Sequence, residues 1–201
     1  MQKAGVLILI LIMGFPILLA AQDEPDVEPE WEEYSYDFYA RGDQVFIVSL
    51  GVAFPTVFVI DGNINNSGWK VVGGAGTLIF NYYLSPKFYL GAELSGMFVP
   101  TIGGNTAFII PLGIRAGTQF TAGRFEFPLA GIFGVSLHTF LGEGYFGIFL
   151  KASASALFKA TTQWAFGITT SWYFMPEWTG DSKTNVYGNF LDLMLTARYH
   201  F

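Results

Sequence analysis

Leu191-Asp192-Leu193-Met194-Leu195-Thr196-Ala197-Arg198-Tyr199-His200-Phe201 alternates without a break. Leu191, Leu193, Leu195, Ala197, Tyr199 and Phe201 share one face of an extended strand. Asp192, Met194, Thr196, Arg198 and His200 share the other. The first face suits hydrocarbon, and the second carries charge and hydroxyl. A half-buried soluble strand alternates in the same way. The rest of the chain therefore has to decide which medium the apolar face meets.

Composition narrows the choice. The chain has 201 residues, enough for one domain, with 13% charged and 18% aromatic residues. The charged share is about half of the usual one. After residue 21 every apolar stretch is cut by Gly, Ser, Thr, Asn or a charge. None reaches the ~20 residues that a spanning helix needs. Such a chain either hides its apolar surface in a large core or shows it to lipid as a barrel.

The one long apolar run is at the start. Lys3 precedes an apolar stretch over 6–19 and the small pair Ala20-Ala21. This reads as a secretory signal peptide over 1–21, cut after Ala21 with Ala20 as the other position. A retained anchor fits less well, because the run is short. There is no Cys, so lipoprotein processing and disulfides are excluded. Residues 22–43 hold more than half of the 16 acidic residues, with Pro25 and Pro29. They read as a disordered periplasmic segment that accounts for the net charge of −6. Arg41-Gly42-Asp43 within it reads as a turn before the first strand.

From residue 44 onward the period-2 pattern recurs in eight stretches: 44–54, 69–84, 88–99, 107–120, 124–140, 146–158, 164–174 and 187–201. In the first, Phe46, Val48, Leu50, Val52 and Phe54 face one way, and Ser49, Gly51 and Ala53 the other. These stretches exceed the ~5–6 residues of a typical soluble strand and suit a tilted membrane strand of ~9–11 residues. Residues 85–87, 121–123 and 160–163 read as tight turns. The alternate connections, 55–68, 101–106, 141–145 and 175–186, are longer. An even strand count with that asymmetry places both ends of the chain on the periplasmic side. Aromatics gather at the ends of the outward rows: Phe88, Phe120, Phe125, Trp164, Tyr199 and Phe201 at one level, Phe54, Trp69, Phe98, Phe108, Phe146, Trp172 and Tyr187 at the other. A soluble barrel would need hydrated outer faces rich in Lys and Glu, and here those faces would be Gly, Ala, Ser and Thr.

The inward faces are where function can be written. Glu93, Arg115, Lys151 and Asp192 fall inward near mid-height, and Glu126 and Arg198 lower. The bore of an eight-stranded barrel is only wide enough for side chains, and buried charges must pair. The expectation is a network of salt bridges that fills the lumen, with Glu93 and Arg115 pairing across adjacent strands. Ser136 and His138 share the inward face of the fifth stretch, but residues two apart on one strand make no oriented triad by themselves. The chain is expected not to be an enzyme. No metal-ligand spacing, cofactor motif or basic nucleic-acid-binding patch is present in the sequence. The run Gly73-Gly74-Ala75-Gly76 reads as a bend within a strand, not a phosphate loop.

The signal peptide, the eight strands and the ending over 193–201 together resemble the small bacterial outer-membrane barrel superfamily. That superfamily includes the OmpA transmembrane domain, OmpX, OmpW and opacity-like surface antigens. The resemblance covers 44–201. It implies a closed, antiparallel, eight-stranded, up-and-down transmembrane β-barrel in the cell outer membrane of a diderm bacterium. It also implies an insertion signal, Leu193, Leu195, Ala197, Tyr199 and Phe201, read by the barrel-assembly machinery. The expected surroundings are outer-membrane lipid, the expected state is a monomer, and no OmpA-like peptidoglycan-binding domain is expected after the barrel. Two roles follow from the resemblance. The OmpA type implies a structural or surface-interaction barrel with a plugged, charge-networked lumen. The OmpW type implies a narrow channel for small or hydrophobic solutes, which inward Val45, Ile47, Ile79, Ile109, Ile132 and Phe190 allow. Either role leaves room for a host or small hydrophobic ligand.

Overall fold

A pattern of eight alternating stretches can close only if each strand finds two neighbours. The structure, a computed structural model, describes residues 39–60, 62–64, 72–100, 105–140, 143–178 and 185–201. The expected signal peptide, the acidic residues up to 38, and Trp69 lie outside the described residues. The strands are β1 (Gln44–Ile60), β2 (Gly73–Tyr83), β3 (Phe88–Pro100), β4 (Thr106–Ala122), β5 (Phe125–Phe140), β6 (Glu143–Lys159), β7 (Trp164–Glu177) and β8 (Val186–His200). Each pairs antiparallel with the next, and β1 pairs with β8 from Val45↔His200 to Ile60↔Val186. The sheet is therefore a closed, antiparallel, eight-stranded barrel, with no helix among the described residues. A two-residue strand, Asn63–Ile64, folds back on the end of β1.

The alternation sorts the faces. Leu50 is 67% exposed, Ile114 72% and Leu195 64%, while Val45 and Asp192 are at 0%. The apolar rows point outward around the whole wall, so they need hydrocarbon and not water. Of the expected girdle residues, the phenylalanines, Trp164 and Trp172 are exposed, while Tyr187 and Tyr199 are half-buried, and rings meet at both levels. At the end carrying residues 44 and 201, the terminal end, Trp164 lies 4.9 Å from Tyr199, which meets Phe201 edge-on at 5.0 Å. At the other, the loop end, Phe174 stacks on Tyr187 at 6.2 Å.

Tight turns join the strands at the terminal end. Gly123 takes φ 59°, which side chains rarely adopt. Ala160 N donates to Trp164 O at 3.0 Å. Inside the wall, a Cβ on Gly134 would run into the backbone of Leu112 and Gly113 on β4, so the close approach of β4 and β5 requires glycine there.

Three strands run further toward the loop end than the sequence pattern indicates. The first stretch was expected to end at Phe54, before Pro55, but β1 continues to Ile60 through a register shift between Pro55 and Val57. Proline cannot donate to the ladder, and a bulge absorbs it. Thr56 Oγ1 donates to Asn189 O at 3.0 Å, and Asn189 Nδ2 donates to Val57 O at 3.1 Å, so side chains take over where the ladder breaks. β6 begins at Glu143 instead of 146, and β7 continues to Glu177 instead of 174. Gly144 and Pro176 interrupt the apolar period there, and pairing with the neighbouring strand carries the backbone on. The turn expected at 121–123 falls two residues later, since β4 runs to Ala122.

Candidate functional site

The mid-height of the bore holds four charges. Arg115 on β4 donates from a terminal guanidinium nitrogen to Glu93 Oε2 on β3 at 2.7 Å. The register sets Arg115 opposite Gly91 and Glu93 opposite Gly113. The two side chains are thus diagonal neighbours, which a long arginine spans. Lys151 arrives from β6, on the far wall, and donates to Glu93 Oε1 at 2.5 Å and to the Tyr173 hydroxyl at 2.6 Å. Its ammonium lies 4.4 Å from the centre of the Tyr173 ring. Ser95 donates a third bond to Glu93 at 3.0 Å. Asp192 on β8 stands 3.8 Å from Lys151, and no hydrogen bond reaches its carboxylate oxygens. Two negative and two positive charges cancel, and all four residues are buried. One carboxylate, Glu93, holds cations from both sides of the bore.

A second cluster lies toward the terminal end. Arg198 pairs with Glu126 and donates to Gln119 Oε1 at 3.1 Å. Tyr83 donates to the same oxygen at 2.5 Å. The six charges expected in the lumen therefore form two groups: Glu93, Arg115, Lys151 and Asp192 at mid-height, Glu126 and Arg198 below.

A seventh residue, absent from the sequence reading, completes the lower group. Tyr39 precedes β1, in the stretch assigned above to the acidic segment, yet it is only 3% exposed. It stacks on Tyr83 at 4.2 Å and 8°, and donates to Glu126 Oε1 at 3.1 Å. The Arg198 guanidinium lies 5.1 Å from its ring centre. Burial pushes the Tyr39 phenol up, against the pull of Arg198, so it keeps the proton it donates. The turn expected at Arg41-Gly42-Asp43 aims it inward. Gly42 takes φ 104° and donates to Tyr83 O at 2.9 Å. Asp43 accepts from Ala40 N at 2.9 Å and pairs with His200 at 3.1 Å.

The loop end is different. His138 Nε2 is 2.7 Å from Ser136 Oγ, and Nδ1 is 2.7 Å from Glu177 Oε1. The acid that the sequence did not place comes from β7, across β6. A carboxylate on Nδ1 requires a proton there, so in the neutral ring Nε2 accepts from Ser136. This has the order of a catalytic triad, but Ser136 is 0% exposed. The three side chains link β5 to β7. Beside it lies a cavity of about 200 Å³ whose lining includes Phe58, Ile109, Met175, Phe190, His138 and Glu177. Of the apolar inward residues singled out above, Ile109 and Phe190 reach this cavity, while Val45, Ile47, Ile79 and Ile132 are packed in the buried core.

A closed eight-stranded wall with an apolar outside and a charged, filled inside sets the terms for comparison with known proteins. A protein-family model matches residues 22–199. This chain belongs to that family, and its fold is that of the small eight-stranded outer-membrane β-barrels. The barrel superposes on the Neisserial surface protein A with a TM-score of 0.59 and 11% identity, over 78% of this chain and 97% of that one. The outer membrane protein OprG of Pseudomonas aeruginosa aligns with a TM-score of 0.46 and 13% identity, over 81% of this chain and 98% of that one. An uncharacterized protein of Treponema pallidum (strain Nichols) is 26% identical over 144 residues, 66% of this chain. That match spans 65% of the relative's own length, just under two thirds. The likeness to the solved structures is one of fold.

Proposed function

We propose that this outer-membrane barrel is a non-conducting, non-catalytic protein with a structural or surface-interaction role, working as a monomer. The observation that supports it is Glu93, which ties Arg115 and Lys151 together across the bore. A conducting lumen needs a continuous polar path, and here the mid-height charges are spent on each other while Tyr39 fills the terminal end. The terminal end faces the periplasm in this reading, because both ends of an even-stranded barrel lie there. Residues 1–21 act as the exported leader, in keeping with a family match that starts at residue 22. N-terminal sequencing of the mature protein tests this. β8, which closes the seam with β1, presents Leu193, Leu195, Ala197, Tyr199 and Phe201 outward and is the strand offered to the barrel-assembly machinery.

Single-channel recording in planar bilayers tests the plug. The expected result is no resolved conductance for the native barrel and the appearance of steps in Glu93→Gln. Steady open-channel steps in the native barrel would overturn the reading. The OmpW-like alternative, a narrow channel for small or hydrophobic solutes, draws support from the loop-end cavity. Uptake of a hydrophobic dye into liposomes carrying the barrel would favour it.

A further inference from the structure

The cavity at the loop end is apolar on most sides and charged at one point. Phe58 and Phe190 meet edge to face at 5.4 Å and 89°, and Ile109 and Met175 add aliphatic and thioether surface. The charge belt lies below it along the bore. Met175 lies two residues beyond Tyr173 on β7, and Phe190 two residues from Asp192 on β8. A ligand therefore enters and leaves from the loop end.

The electrostatics select what fits. The belt below is neutral as a set. With the imidazole of His138 neutral, Glu177 carries the one formal charge among the described residues that line the cavity. Its side chain is 31% exposed, and it spends Oε1 on His138. A carboxylate at the edge of an apolar cavity favours a cation, and aromatic rings add to that preference. Volume sets the size. A cavity of ~150 Å³ admits benzene, so about 200 Å³ admits a ring of that size with a short arm.

We propose that this cavity is a binding site for a small organic monoamine, its apolar body against Phe58, Ile109, Met175 and Phe190 and its ammonium on Glu177. Sites of this make-up, apolar walls with few convergent polar groups, are where small ligands bind. Occupancy does not depend on whether the bore conducts, so binding and conductance fail separately.

The test uses the folded barrel in micelles at pH 8, with three probes of similar size: 2-phenylethylamine, neutral 2-phenylethanol and anionic phenylacetate. Isothermal titration is expected to show the amine binding at least tenfold more tightly than the alcohol, with phenylacetate silent. Glu177→Gln is expected to bring the amine down to the level of the alcohol. Equal affinity for amine and alcohol in the native barrel would sink the proposal, because it means partition into the micelle or a purely apolar site. Full amine affinity in a folded Glu177→Gln barrel would sink it too. The native three-probe comparison decides by itself if that variant does not fold.

Discussion

The charge belt and the loop-end cavity lie two residues apart along β7 and β8, where Tyr173 gives way to Met175 and Asp192 to Phe190. In the belt the bore holds four buried charges that cancel as a set. In the cavity the walls turn apolar, one carboxylate is left at the edge, and space remains. Ionic side chains fill a bore well because they are long and reach across it. They do so only in sets that sum to zero, since an unpaired buried charge is costly. Where the set ends, the apolar side chains leave space between them. The comparison also separates members of the belt. Glu93 accepts from Arg115, Lys151 and Ser95, whereas Asp192 has only the ammonium at 3.8 Å.

That difference can be broken by substitution. Glu93→Gln leaves two buried cations without their carboxylate and is expected to destabilise the barrel by about 3–5 kcal/mol, read from denaturant unfolding in micelles. Tyr39→Ala removes a ring stack and a hydrogen bond to Glu126, with an expected cost of about 2 kcal/mol. The same variant opens the terminal end and is expected to raise the leak when combined with Glu93→Gln. Asp192→Asn is expected to cost about 1 kcal/mol, because the lost attraction to Lys151 is offset by the cheaper burial of an amide. A cost equal to that of Glu93→Gln would show that the four charges act as one unit and that Glu93 is not its centre. Ser136→Ala removes one bond of the link between β5 and β7 and is expected to cost about 0.5–1 kcal/mol while leaving amine binding unchanged. A larger loss, or loss of binding, would show that Ser136 belongs to the cavity and not to the wall.

Much of the wall was legible in advance. Leu50, Ile114 and Leu195 point outward, and Glu93, Arg115, Lys151, Asp192, Glu126 and Arg198 point inward, because the pleat alternates faces residue by residue. The strand ends were less legible. Pro55, Gly144 and Pro176 break the apolar period, yet pairing carries β1, β6 and β7 past them. Glu177 lay inside a stretch read as a loop, so the acid beside His138 was invisible. Tyr39 sat among acidic residues with nothing in its local pattern to mark it as part of the bore.

By itself the sequence determined the medium of each face, the strand count and the sign of every charge in the lumen. These are properties of short windows, set by side-chain polarity and the pleat of one strand. Only the tertiary structure decided which charges meet. Lys151 and Glu93 are 58 residues apart and three strands apart around the wall. Their contact depends on the stagger with which the barrel closes and on how far a lysine reaches across the bore. The same closure set Tyr39 beneath the belt and left the cavity above it, because filling depends on which side chains share a level, and no single strand contains that information.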